Sequence, residues 1–255
     1  MNQHSTDTRS AAEGRMFTAD DYTYRFPDIW LLDEDCIWTI MHRAYIARVV
    51  DLVKDSGAKT VIDVGCGDGW SCGQMARAGL DTVGIDWSKN GIEHAKRLVP
   101  DARFLCCDVK DPEFTETFTD PFDAATFVEV IEHIPPDQCV EALRNVRDLV
   151  KRGGRIVLTT PSVNFPNDND THYRHFTKEI LEDLIASAGD LKIESIEGYG
   201  DVEAENRHWA RARWVHNRYY TIYPALKHLN QKYAPHCTDT PLDRCHGFIV
   251  TMERL

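Results

Sequence analysis

Apolar positions change rhythm along this chain in a regular way. Short β-branched runs stand at TVIDV (60–64), DTVGID (81–86), RFLCCD (103–108), FDAATFVEV (122–130) and RIVLTTP (155–161). Amphipathic stretches separate them at about 70–79, 88–98, 136–151 and 177–188. Apolar strands alternating with helical stretches predict βαβ units around a mostly parallel sheet covered on both faces. Two later runs, LKIESIEG from 191 and CHGFIVTMERL (245–255), read as strands and bring the count to seven. Upstream, Ile37, Met41, Tyr45, Ile46, Val49 and Val53 recur at helical spacing and predict a helix over about 34–56.

This pattern divides the chain. Residues 1–14 are polar, offer nothing to bury, and read as a disordered tail. Residues 15–57 combine an aromatic arm (Phe17, Tyr22, Tyr24, Phe26, Trp30, Trp38) with that first helix. Residues 58–255 form one α/β domain, interrupted at 200–244 by an insertion ahead of the last strand. The insertion's stretch ENRHWARARWVHNRYY reads as a helix, either lying across the sheet edge or walling a substrate site above the strands' carboxyl ends.

Composition narrows the classes. With 255 residues and 42% apolar positions, a single buried core is feasible. The formal charge of −12 argues against a surface that tracks phosphates throughout. Residues 203–232 are the exception, with six Lys and Arg against two Glu. No long uncharged apolar run predicts a membrane span, and the first residues lack an apolar export signal. The eight cysteines therefore read as reduced thiols of a cytoplasmic protein. His236-Cys237 and Cys245-His246 match no common zinc spacing.

The most informative segment is VIDVGCGDGW, in which Gly65, Gly67 and Gly69 follow a strand and precede a helix. Glycines suit a turn that needs positive φ and brings backbone N–H groups close to a ligand. The spacing is Gly-x-Gly-x-Gly, unlike the dinucleotide fingerprint. Asp86 ends the next strand 21 residues after Gly65, where a carboxylate can accept ribose hydroxyls.

From about 58 to 199, and in the final strand, the chain resembles the class I S-adenosylmethionine-dependent methyltransferases. VIDVGCGDG is similar to the family's first motif, GIDWS its second, CCDV its third, FDAATFVEVIEHI its fourth, and LVKRGGRIVLTTP its fifth-strand region. The resemblance implies a seven-stranded, mostly parallel Rossmann-like methyltransferase sheet and S-adenosyl-L-methionine as cofactor. It implies that Asp63 and the backbone of Gly65, Cys66 and Gly67 border the methionine end. Asp86 would take the ribose, Trp87 would flank the adenine, Asp108 would accept from its amino group, and Val109 would pack nearby. Glu129 closes the cofactor set. Trp87 departs from the small aliphatic residue common at that place.

Methyl transfer from a sulfonium mainly requires alignment, but a hydroxyl acceptor also needs a base or a metal. His133, after the fourth strand, is the candidate base, against a reading in which Glu132-His133 only anchors the next helix. A second cluster follows the fifth strand: Asp168, Asp170, His172, Tyr173, Arg174, His175 and Phe176. Glu129, Glu132, His133 and His172 together suit Mg²⁺ or another divalent cation. The Glu-x-x-Glu-His element with a later His resembles the metal-assisted 2′-O-methyltransferases that modify small-RNA 3′ ends, although the aromatic signature of those enzymes is absent.

Two acceptors follow as expectations. The first is a small hydroxylated molecule, a sugar or natural product, methylated on oxygen. The alternative is RNA 2′-O-methylation, with Arg207, Arg211, Arg213 and Arg218 interleaved with Trp209, Trp214, Tyr219 and Tyr220. A homodimer through the aromatic arm and the absence of a membrane partner complete the expectations.

Overall fold

The computed structural model describes residues 24–111, 114–167 and 169–255. The expected disordered tail, the arm as far as residue 23, and Asp168 lie outside them. The first helix, α1, spans Ile37–Asp55; β1 is Thr60–Val64, α2 Trp70–Arg77, β2 Asp81–Asp86, α3 Lys89–Leu98 and β3 Arg103–Cys106. Then come β4 (Phe122–Val128), α4 (Cys139–Asp148), β5 (Val150–Pro161), α5 (Lys178–Ala188) and β6 (Leu191–Asp201). Helices α6 (Val202–Ala212) and α7 (Tyr223–Gln231) precede β7 (Cys245–Arg254).

The seven strands form one sheet in the order β3-β2-β1-β4-β5-β7-β6. Strands β1 to β5 pair in parallel, while β7 runs antiparallel between β5 and β6. The chain reverses its direction of travel across the sheet between β1 and β4, which places the ligand crevice above their carboxyl ends. Alternation within strands explains the burial on both faces. In β1, Val61 packs with the α1 side chains Ile46, Val49 and Val53, whereas Ile62 and Val64 pack with Leu143 and Val146 of α4. No helix among the described residues is long and apolar enough to cross a membrane.

Four boundaries differ from the sequence pattern. Helix α1 begins at Ile37 rather than 34, with turns filling 24–36. Strand β4 stops at Val128 because Glu129 takes φ 53°, outside the extended region. Strand β5 starts at Val150, well before the apolar run, and its register with β4 shifts between Phe122 and Ala124. Gly153, at φ 77°, accommodates that irregularity. The insertion is two helices rather than one: α6 ends at Ala212, and residues 213–222 turn back through a His216–Thr221 bridge.

Candidate active site

The glycine loop joins β1 to α2 with Gly65, Gly67 and Gly69 all at positive φ, as the spacing requires. The amides of Gly65 and Cys66 both donate to the Ile85 carbonyl, which ties the loop to β2. Asp86 completes the tie. Its Oδ2 accepts from Gly67 N at 2.9 Å and its Oδ1 from Ser88 N at 2.7 Å. Burial pushes its carboxyl up to about 6, against the lowering effect of those two amides.

Asp63 is turned into the protein. Its carboxylate accepts from Ser71 Oγ, from Thr126 Oγ1 at 2.7 Å and from the Cys72 thiol, so it braces β1, β4 and α2 against one another. Cys66 is buried, Trp87 is 41% exposed, and Val109 is buried beneath the loop after β3. Asp108 is half-buried, with Lys110 N donating to its Oδ1 at 2.9 Å and Lys110 Nζ 3.4 Å from Oδ2. Thus Asp86, Trp87, Asp108 and Val109 stand at the ends of adjacent strands β2 and β3.

One contact over this loop was legible only as an aromatic arm. The Tyr24 ring lies directly against Gly67 and Gly91, and His94 Nε2 meets the Tyr24 carbonyl at 3.1 Å. Next along the arm, Ile29 N donates to Asp68 Oδ2 at 2.8 Å and Trp30 Nε1 to Asp68 O at 3.1 Å. Trp30 packs edge-on against Trp70 at 4.7 Å between ring centroids, and the Arg43 guanidinium covers Trp70. Residues 24–30 therefore strap the loop from outside. No local sequence pattern gives their partner.

The fourth-strand end closes the other side. Val130 packs against Gly65, so the EVIEH segment abuts the glycine loop. Glu129 Oε1 accepts from Thr159 Oγ1 at 2.7 Å and from the Tyr199 hydroxyl at 2.9 Å. Burial raises its pKa while those two donors lower it. Glu132 is fully buried; one oxygen accepts from Thr160 Oγ1 at 3.1 Å, and Oε1 has no partner. Burial, then the nearby Glu129 carboxylate, pushes the Glu132 pKa well up.

Two imidazoles join Glu132. The loop after β5 is pinned by Tyr173 N donating to Glu132 O at 2.8 Å, and His133 Nδ1 lies 3.1 Å from the Thr171 carbonyl. A carbonyl only accepts, so Nδ1 carries the proton and Nε2 keeps its lone pair. Desolvation lowers the pKa of His133, and desolvation with the neighbouring His133 and His175 lowers that of His172 to about 4. Both rings are therefore neutral at pH 7. Ligand atoms of Glu132, His133 and His172 lie within 4.8 Å of one another, a spacing that fits one divalent cation. Among the described residues no other such group of His, Cys and carboxylate ligands occurs. Glu129 stands outside this group, held by Thr159 and Tyr199, which corrects the four-residue set to three.

The remaining candidates separate. His246 pairs with Glu205, and the Cys237 and Cys245 thiols donate to Tyr233 O and Leu242 O, so no metal cluster forms there. In the insertion, Trp214, Tyr219 and Tyr220 are 69%, 76% and 50% exposed rather than turned to the core. Arg213 and Arg218 lie over Trp214 and Tyr219.

Comparison with known proteins agrees with this fold. A family model described as "Methyltransferase domain" matches residues 37–232. A ubiquinone biosynthesis O-methyltransferase of Coxiella burnetii is 32% identical over 111 residues, 42% of this chain and 45% of that protein. The chain thus spans about half the length of the curated relatives it matches. A Burkholderia thailandensis 1,6-didemethyltoxoflavin-N1-methyltransferase, solved with its substrate and S-adenosylhomocysteine, superposes with a TM-score of 0.59 at 17% identity. That match covers 100% of this chain and 92% of the other. The methyltransferase domain of bacterial CtHen1-C gives 0.57 at 16% identity over 84% and 98% of the two chains. At such identities the two structures share the fold.

Proposed function

Because this chain belongs to the methyltransferase-domain family, we propose that it is an S-adenosylmethionine-dependent enzyme that methylates an oxygen of a small hydroxylated acceptor, with a divalent cation held by Glu132, His133 and His172. The observation that carries this reading is the buried, unpartnered Oε1 of Glu132, on a residue grouped with His133 and His172 so that ligand atoms of the three lie within 4.8 Å of one another. A buried polar atom without a partner is costly, and a cation satisfies all three ligands at once.

The protein's own part is alignment. Asp86 keeps lone pairs for the ribose hydroxyls while its amide partners hold the loop in place. Trp87, Asp108 and Val109 line the adenine end, and the backbone of Gly65 to Gly67 borders the methionine end. In the transfer, the acceptor oxygen forms a bond to the methyl carbon as the carbon–sulfur bond breaks, and the hydroxyl proton must leave. With Nδ1 of His133 donating to the Thr171 carbonyl and its single Nε2 lone pair committed to the cation, that proton passes to solvent water. When bound, Mg²⁺ or Mn²⁺ would lower the pKa of an acceptor hydroxyl.

RNA 2′-O-methylation is the second reading, favoured by the exposed Trp214, Tyr219 and Tyr220 beside Arg213 and Arg218. The test measures S-adenosylhomocysteine release with sugars, phenols and short RNAs, with and without chelator. The expected result is chelator-sensitive turnover on a small hydroxylated acceptor. His133→Ala should lower kcat by about 100-fold or more with cofactor affinity nearly unchanged. Chelator-resistant turnover would remove the cation, and turnover confined to RNA would replace the acceptor.

A further inference from the structure

The loop after β5 contains an ordered line of hydrogen bonds that ends at the proposed cation ligands. Asn169 Oδ1 accepts from Thr171 N at 3.0 Å and from Thr171 Oγ1 at 2.8 Å. A backbone amide only donates, so this oxygen assignment is fixed and the Asn169 Nδ2 group faces His172 Nε2, 2.9 Å away. An amide nitrogen also only donates, so His172 Nε2 accepts. In the neutral ring the proton is then on Nδ1, which donates to His175 Nε2 at 3.0 Å. His175 in turn carries its proton on Nδ1 and donates to the Phe165 carbonyl at 3.0 Å. Both ends of the line dictate the same direction.

We propose that His175 is a positioning residue for the cation site: it holds His172 in the Nδ1–H tautomer, so that the Nε2 lone pair joins Glu132 and His133. The proposal rests on the cation reading above. It also gives Asn169 a part, because its amide covers the ligand atom and must swing aside when a cation binds. His175 is 8% exposed and its ring stacks on Phe165 at 6.2 Å, whereas Asn169 is exposed to solvent that can replace its hydrogen bonds. The burial and carbonyl anchor of His175 are those of a group that orients a metal ligand from behind.

Titration of Mn²⁺ into the full chain by calorimetry tests this. His175→Phe keeps a ring against Phe165 but offers His172 no acceptor, and should weaken Mn²⁺ binding by about 10–100-fold. His175→Gln, whose amide oxygen accepts and whose nitrogen donates, should stay within a few-fold of the wild type. Asn169→Ala should bind Mn²⁺ more tightly. S-adenosylhomocysteine affinity should be the same in all four proteins. Equal Mn²⁺ affinity in the wild type and His175→Phe would overturn the proposal alone, whereas a wild type that takes up no Mn²⁺ would overturn the cation reading with it. If His175→Phe does not fold, long-range ¹H–¹⁵N spectra of the wild-type imidazoles decide: a proton on His172 Nε2 refutes the argument, and one on Nδ1 upholds it.

Discussion

Gly67→Ala probes the loop and the strap together. Gly67 sits at φ 53°, and a methyl group there would meet the Tyr24 hydroxyl, with Tyr24 Cζ at 2.7 Å and Cε1 at 3.0 Å. The ring has little room to retreat, since a methyl on Gly91 would lie 3.1 Å from its Cδ2 and the Tyr24 carbonyl is held by His94. Two costs therefore add. Left-handed backbone in a non-glycine residue costs about 1–2 kcal/mol, and overpacking a filled contact about 1–3 kcal/mol. Urea unfolding of the cofactor-free protein should show a loss of about 2–5 kcal/mol with an unchanged m-value. In a Tyr24→Ala background only the backbone part should remain, so the double-mutant cycle should give a coupling of about 1–3 kcal/mol. Equal losses in the two backgrounds would refute the packing of Tyr24 on this loop.

The remaining predictions concern charge. The Asp86 carboxyl, raised to about 6, is protonated in the folded protein below that pH. S-adenosylhomocysteine affinity should therefore fall as pH drops through 6, while Asp86's contribution to stability runs oppositely, declining as pH rises from 3.8 toward 6. Asp86→Asn should abolish that pH dependence of binding, as calorimetry between pH 5 and 8 would show. Asp123 is the reverse case: Lys151 Nζ at 2.6 Å and the amides of Thr60 and Lys59 hold its carboxyl low. Its stabilisation is present above the ordinary carboxylate range and lost as pH falls below it. Asp123→Ala should cost about 1–3 kcal/mol at pH 7, and Lys151→Ala under about 1 kcal/mol. Acid-unfolding curves of the two variants check both.

What could be read in advance was whatever depends on neighbours in the chain. The Gly65-x-Gly67-x-Gly69 turn, Asp86 at the end of the next strand and the alternating strands and helices carry local conformational demands, and the fold follows them. The Glu132-His133 pair was visible for the same reason. The separation of Glu129 from the Glu132, His133 and His172 group is not legible in the sequence, because its partners, Thr159 and Tyr199, lie 30 and 70 residues away and arrive only when β5 and β6 join the sheet. His175 looked like one polar residue among many, since its role depends on which atom of Phe165, ten residues earlier, faces it. Tyr24 reads as any aromatic, and only tertiary packing sets it on Gly67.

That placement of Tyr24 has a kinetic consequence. A nucleoside laid against Gly67 would need the same few ångströms that the Tyr24 ring fills, so its binding there requires that ring to be displaced. Observed affinity would then be the intrinsic one scaled by the fraction of molecules in which Tyr24 is off Gly67. Release of the spent cofactor would require the same displacement, a conformational step of the kind that can limit turnover at saturating substrate.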